Sequence, residues 1–138
     1  MKLQNILVAT LMIAIGCGIT INQNDEYIYD RVFISEIKIK DKTGKIADTI
    51  KVNDIFTTEI YGYFPDPCWQ FYKIEVEELK NEYKITPIAR REKDIFCIAV
   101  ITPCSTSVAL SCKSTADTIK ISVVGKEGII SKTINVAQ

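Results

Sequence analysis

Apolar and polar residues alternate along most of the chain beyond residue 31, the spacing of strands that bury one face. Ile37 and Ile39 alternate with Lys38 and Lys40, which predicts a first strand over Val32–Lys40, closed by a turn at Asp41–Gly44. Ile46–Val52 leads into a second strand at Ile55–Tyr63, with Phe56, Thr58 and Ile60 on one side. Pro65-Asp66-Pro67 stops the sheet there, because proline cannot donate to a ladder. Over Gln70–Leu79, Tyr72, Ile74 and Val76 point one way and Lys73, Glu75 and Glu77 the other. The Lys80-Asn81-Glu82 turn brings back Tyr83–Ala89, where Pro87 predicts an edge strand or a bulge. Arg90–Asp94 reads as a solvated turn, and Ile95–Thr102 as a strand covered on both faces. Pro103–Thr106 breaks the chain again before strands at Ser107–Ser111, Thr118–Val124 and Ile129–Val136, the last two joined by Gly125–Gly128. About eight short strands with frequent turns predict an all-β sandwich or barrel.

The pattern fails at the start, where Ile6–Ile15 is apolar without alternation or charge, behind Lys2 and ahead of Gly16-Cys17. That order matches a signal peptide, which would begin as a helix. The run is shorter than the ~17–25 residues a spanning helix needs. Extending it to Ile21 as a permanent anchor would have to cross Gly16-Cys17-Gly18 and Thr20. Ala14-Ile15-Gly16-Cys17 resembles the lipobox of bacterial lipoproteins, which implies cleavage before Cys17 and a lipid on its sulfur. Residues 1–16 are then signal peptide, 17–26 a lipidated tether and 27–138 the domain. The polar stretch Gly18–Asn24 reaches at most about 25 Å, so the domain stays near the membrane.

Composition changes the picture by exclusion. The 24 isoleucines, with many valines, threonines and tyrosines, favour strands. Lys plus Arg and Asp plus Glu both total 17, so no basic surface for nucleic acid is expected. The absence of histidine removes Ser-His and Cys-His nucleophile pairs and the usual zinc ligand set. No phosphate-binding glycine loop or acidic calcium loop is present. We expect no enzyme activity, no cofactor and no metal.

Val52–Phe56, Gly62-Tyr63-Phe64-Pro65-Asp66-Pro67-Cys68-Trp69 and Cys97-Ile98-Ala99-Val100-Ile101-Thr102-Pro103 together resemble small bacterial secreted or lipoprotein domains with an immunoglobulin-like fold. The resemblance spans roughly Lys51–Val136 and implies an antiparallel β-sandwich of about seven or eight strands. Ser114–Ile119 lacks the glycine and tyrosine of that pattern, so no tyrosine corner is expected there. With Cys17 taken by lipid, four cysteines remain, which suits two disulfides in an exported protein. The resemblance implies Cys68–Cys97, which leaves Cys104–Cys112. A tight hairpin centred between Cys104 and Ser105 would instead set Cys97 opposite Cys112 and force Cys68–Cys104.

The candidate binding residues are aromatic: Tyr63, Phe64 and Trp69 around the proline-cysteine loop, as an exposed patch or as core. The expected function is that of a lipid-anchored extracytoplasmic protein, at an outer membrane or a cell surface, with a binding or structural role in the envelope. Its partners would be the membrane, through Cys17, and an envelope protein. The alternative is a small inhibitor or protective lipoprotein acting on an envelope enzyme.

Overall fold

The structure, a computed structural model, describes residues 26–138. The expected signal peptide, Cys17 and the expected tether up to residue 25 lie outside the described residues. Nine strands form among the described residues, in two sheets, and no helix. They are β1 (Tyr27–Arg31), β2 (Phe33–Lys40), β3 (Thr49–Lys51), β4 (Ile55–Phe64), β5 (Gln70–Leu79), β6 (Glu82–Glu92), β7 (Thr102–Ser111), β8 (Thr118–Gly125) and β9 (Gly128–Ala137). One sheet runs β1-β6-β8-β9-β3 with β5 beside β6, and the other runs β2-β4-β7. The fold is the expected all-β sandwich.

Its pairing is not antiparallel throughout, because β6–β8 and β3–β9 are parallel. Between β6 and β8 the chain crosses to the other sheet as β7 and returns, the long connection that parallel neighbours require.

The two facing sheets enclose the core. Phe56 and Ile60 of β4, with Ile37 and Ile39 of β2, meet Ile85 of β6 and Ile119, Ile121 and Val123 of β8. All are in the apolar phase of their strands, as alternation predicts. Phe56 meets the ring of Tyr83 edge-on at 5.9 Å, and the Tyr83 hydroxyl donates to Ser111 O. That hydrogen bond joins β6 to β7 of the opposite sheet. At Gly62 a Cβ would lie 2.0 Å from Phe33 O, so only glycine lets β2 close on β4 here.

Several expected elements differ, each for an identifiable reason. Tyr27–Arg31 is a strand, pairing antiparallel with the end of β6 from Tyr27↔Glu92 to Arg31↔Ile88. Given that partner, Arg90–Glu92 continue β6 instead of turning. Pro87 is buried and central rather than at an edge. On the side away from β5, β6 pairs with β8 up to Ile85 and with β1 from Ile88. The missing N–H therefore falls beside the junction between two partner strands. In β5 a bulge between Phe71 and Lys73 breaks the alternation. Phe71 packs inward and Tyr72 outward, against Tyr29 and Arg90.

The largest difference is at Ile95–Thr102. Residues 93–101 are a loop, and Pro103–Thr106, expected as a break, lie within β7, paired with β4 from Phe64↔Thr102 to Ile55↔Ser111.

Candidate functional site

One end of the sandwich gathers the candidate residues. There β4 ends at Phe64 and β5 begins at Gln70, across the loop Pro65–Trp69. There too β6 ends at Glu92, and residues 93–101 carry the chain to β7. The two loops are joined by the Cys68–Cys97 disulfide, with Cα atoms 6.1 Å apart. Asp66 supports the same joint. One of its oxygens accepts the Cys68 N–H at 2.9 Å, and the other pairs with Arg91 Nη1 at 3.0 Å. Arg91 Nη2 donates to Ile95 O at 2.9 Å. A single buried carboxylate thus orders its own loop and, through Arg91, the root of the other. Asp66 and the two sulfurs converge within 4.8 Å, but bridged sulfurs offer no thiolate to a metal.

The other expected bridge, Cys104–Cys112, is not formed, and both cysteines are free. They lie on one extended segment, eight residues and so about 27 Å apart, far beyond the reach of a disulfide. The tight hairpin between Cys104 and Ser105 is absent too, since both sit inside β7. Burial pushes the Cys104 thiol up to about 11 and raises that of Cys112. Both stay protonated and unreactive at neutral pH.

Tyr63, Phe64 and Trp69 do come together, with Asp30, Phe33 and Lys126, around one cleft. Its free space of about 10 Å³ admits at most a water, so it is not a small-molecule pocket. Phe64 is buried and meets Phe71 edge-on at 5.2 Å. Tyr63 is half-buried and stacks on Phe33 at 5.0 Å, and Trp69 is half-buried against the Val32–Phe64–Ala89 cluster. Lys126 bonds Asp30, which fastens the β8–β9 turn over this cluster. Burial works to raise the Asp30 carboxyl, but the bond and charge of Lys126 and the N–H of Arg31 outweigh it and hold it below its usual range. The three aromatics are thus more wall than patch.

The exposed patch is the neighbouring loop. Phe96 is 92% exposed, Ile98 68% and Ile101 67%, with Ile95 and Val100 also exposed. A run of large apolar side chains facing water marks an interaction surface. Periodicity could not find it, because an unbroken apolar run has the same pattern whether its two faces are covered or bare.

No curated protein and no solved structure is found to match the chain. The model of the ORF11 beta-sandwich domain matches residues 58–136, from the middle of β4 through β9. That is more than half of the chain, which therefore belongs to the ORF11 beta-sandwich domain family.

Proposed function

We propose that this is a lipid-anchored extracytoplasmic protein, tethered through Cys17, that acts in the cell envelope by binding and not by catalysis. The observation that carries the reading is the Cys68–Cys97 staple, which holds a loop of exposed Ile95, Phe96, Ile98, Val100 and Ile101. A disulfide persists in oxidising compartments, as the signal-like segment requires. A fixed apolar surface supports recognition, and a chain without histidine lacks the commonest general base.

An envelope protein also has an edge to add to. Among the described residues β7 pairs only with β4, and Thr102–Ser111 contains no charge. The edges at β2 and β5 carry Glu36, Lys38 and Lys40, and Lys73, Glu75, Glu77 and Glu78, which discourage strand addition. The inhibitor alternative is less favoured, because Phe64 and Asp66 turn inward and leave the proline loop little to insert into a cleft.

Fractionation of cells carrying Cys17→Ser tests the anchor. The wild type stays with the membrane and the variant leaves it; a variant that remains membrane-bound overturns the reading. A photo-crosslinker at Ser107, exposed on β7, tests the binding role in the same cells. It should capture a specific envelope neighbour, and capture of none removes that role.

A further inference from the structure

We infer that the loop over residues 93–101 is a membrane-docking loop, whose occupant is the lipid surface that holds Cys17. The inference rests on the lipid-anchor reading above and adds to it a second, non-covalent attachment through the protein itself.

Where the chain joins the domain carries the argument. Tyr27 pairs with Glu92, and the Lys93 N–H donates to Glu26 O at 2.9 Å. Glu26, to which a tether from Cys17 would join, is thus fixed beside the root of the apolar loop. Nine residue steps separate Cys17 from Glu26, a reach of about 30 Å at full extension and about 16 Å for a flexible chain. A protein partner on this loop would have to fit between the domain and the bilayer, in a gap no wider than a small domain. Lipid is already there.

The chemistry fits a lipid surface. From Ile95 to Cys112 the chain has no charged residue, and the loop's tip exposes Phe96, Ile98 and Ile101. Beside the loop's root stand Tyr27, Tyr29 and Tyr72, with the Arg90 guanidinium 4.4 Å from the Tyr27 ring and 5.0 Å from that of Tyr72. Lys93 adds an exposed amine, between the exposed carboxylates of Glu92 and Asp94 that keep the loop's root from being purely basic. Tyrosine rings and a guanidinium at the root of an apolar loop are groups favoured at headgroup level.

The loop is also held in shape. Cys97 is bridged, the Val100 N–H turns back to Ile98 O at 2.8 Å, and Thr102 Oγ1 bonds Val100 O at 3.0 Å. Little order has to be gained on docking. Its backbone is nevertheless irregular, which the hydrocarbon interior does not tolerate. Insertion therefore stops at the boundary between headgroups and acyl chains, about 5–10 Å deep.

The test uses the full mature chain with Phe96→Trp, reconstituted into vesicles of phosphatidylethanolamine and phosphatidylglycerol, 3:1, with plain or dibrominated acyl chains. Phe96 is exposed enough to be replaced without disturbing the fold, and the wild type, with Trp69 alone, supplies the reference. The added tryptophan should emit at shorter wavelength in vesicles and be quenched by the brominated lipid, and Ile98→Asp should lower the quenched fraction severalfold. An added tryptophan that is neither shifted nor quenched overturns the docking loop, whether or not a protein is found to crosslink there. Intact mass of the same sample reads the anchor separately, because a Cys17 without lipid defeats the lipoprotein reading alone. The unlipidated mature chain with Phe96→Trp is then titrated with the same vesicles, and quenching of the added tryptophan decides the loop by the same criterion.

Discussion

Thr58 sits in the middle of β4 and is fully buried, yet its Oγ1 has no hydrogen-bond partner among the described residues. A hydroxyl removed from water without a partner costs about 1–3 kcal/mol, whereas a methyl in its place costs nothing in hydration. Thr58→Val should therefore raise the unfolding free energy by about 1 kcal/mol, seen as a higher urea midpoint at unchanged slope. Alternation alone places Thr58 inward between Phe56 and Ile60, and the structure agrees. What alternation could not show is the missing partner, because hydrogen bonding depends on the facing sheet. The cysteines teach the same lesson. The even count invites two bridges, and Cys68–Cys97 forms because two loops meet. Cys104 and Cys112 stay apart because both belong to one straight segment, which the expected break at Pro103–Thr106 concealed.

The difference at residues 93–101 is a matter of elements, since neither face of the run differs in polarity. Its fate was decided by neighbours. β1 pairs with the end of β6 and lengthens it to Glu92, and β7 starts only at Thr102, opposite Phe64. The apolar residues are left between two strands of different sheets, with no third strand among the described residues to cover them. The staple across this gap closes 29 residues and restricts the unfolded chain by about 3.6 kcal/mol in the chain-entropy model. Cys68→Ala with Cys97→Ala should lose most of that, read from denaturant unfolding in the absence of reductant. Hydrogen exchange should rise first in residues 93–101, since only hydrogen bonds, those of Arg91, Asp66 and Lys93 among them, then hold the loop. The β6 and β8 core, whose Ile85, Ile121 and Val123 are fully buried, should exchange last.

At the scale of the molecule, the direction of β4 separates the two ends. It runs from Ile55 to Phe64, about 30 Å, and carries the chain from one end of the sandwich to the other. At the Phe64 end lie the stapled loops and Glu26, where the described residues begin. At the Ile55 end, the Asp54 carbonyl accepts the Cys112 N–H, and residues 113–117 follow, with Lys113, Thr115 and Asp117 exposed. The proposed tether and docking loop, acting together at this end, would turn the other end to solvent and so fix an orientation as well as a location. Ala99→Cys in the loop and Thr115→Cys at the far end test this directly, because Cys104 and Cys112 keep their raised thiol pKa values and react slowly. With a membrane-impermeant maleimide on reconstituted vesicles, the thiol at position 115 should label as fast as in the unlipidated chain carrying Cys17→Ser. The thiol at position 99 should label much more slowly than in that chain. Equal rates at both positions would mean a domain that tumbles freely on its tether. The reverse order would mean that it lies with residues 113–117 against the lipid, which a tether joined at Glu26 would have to pass the length of the sandwich to allow.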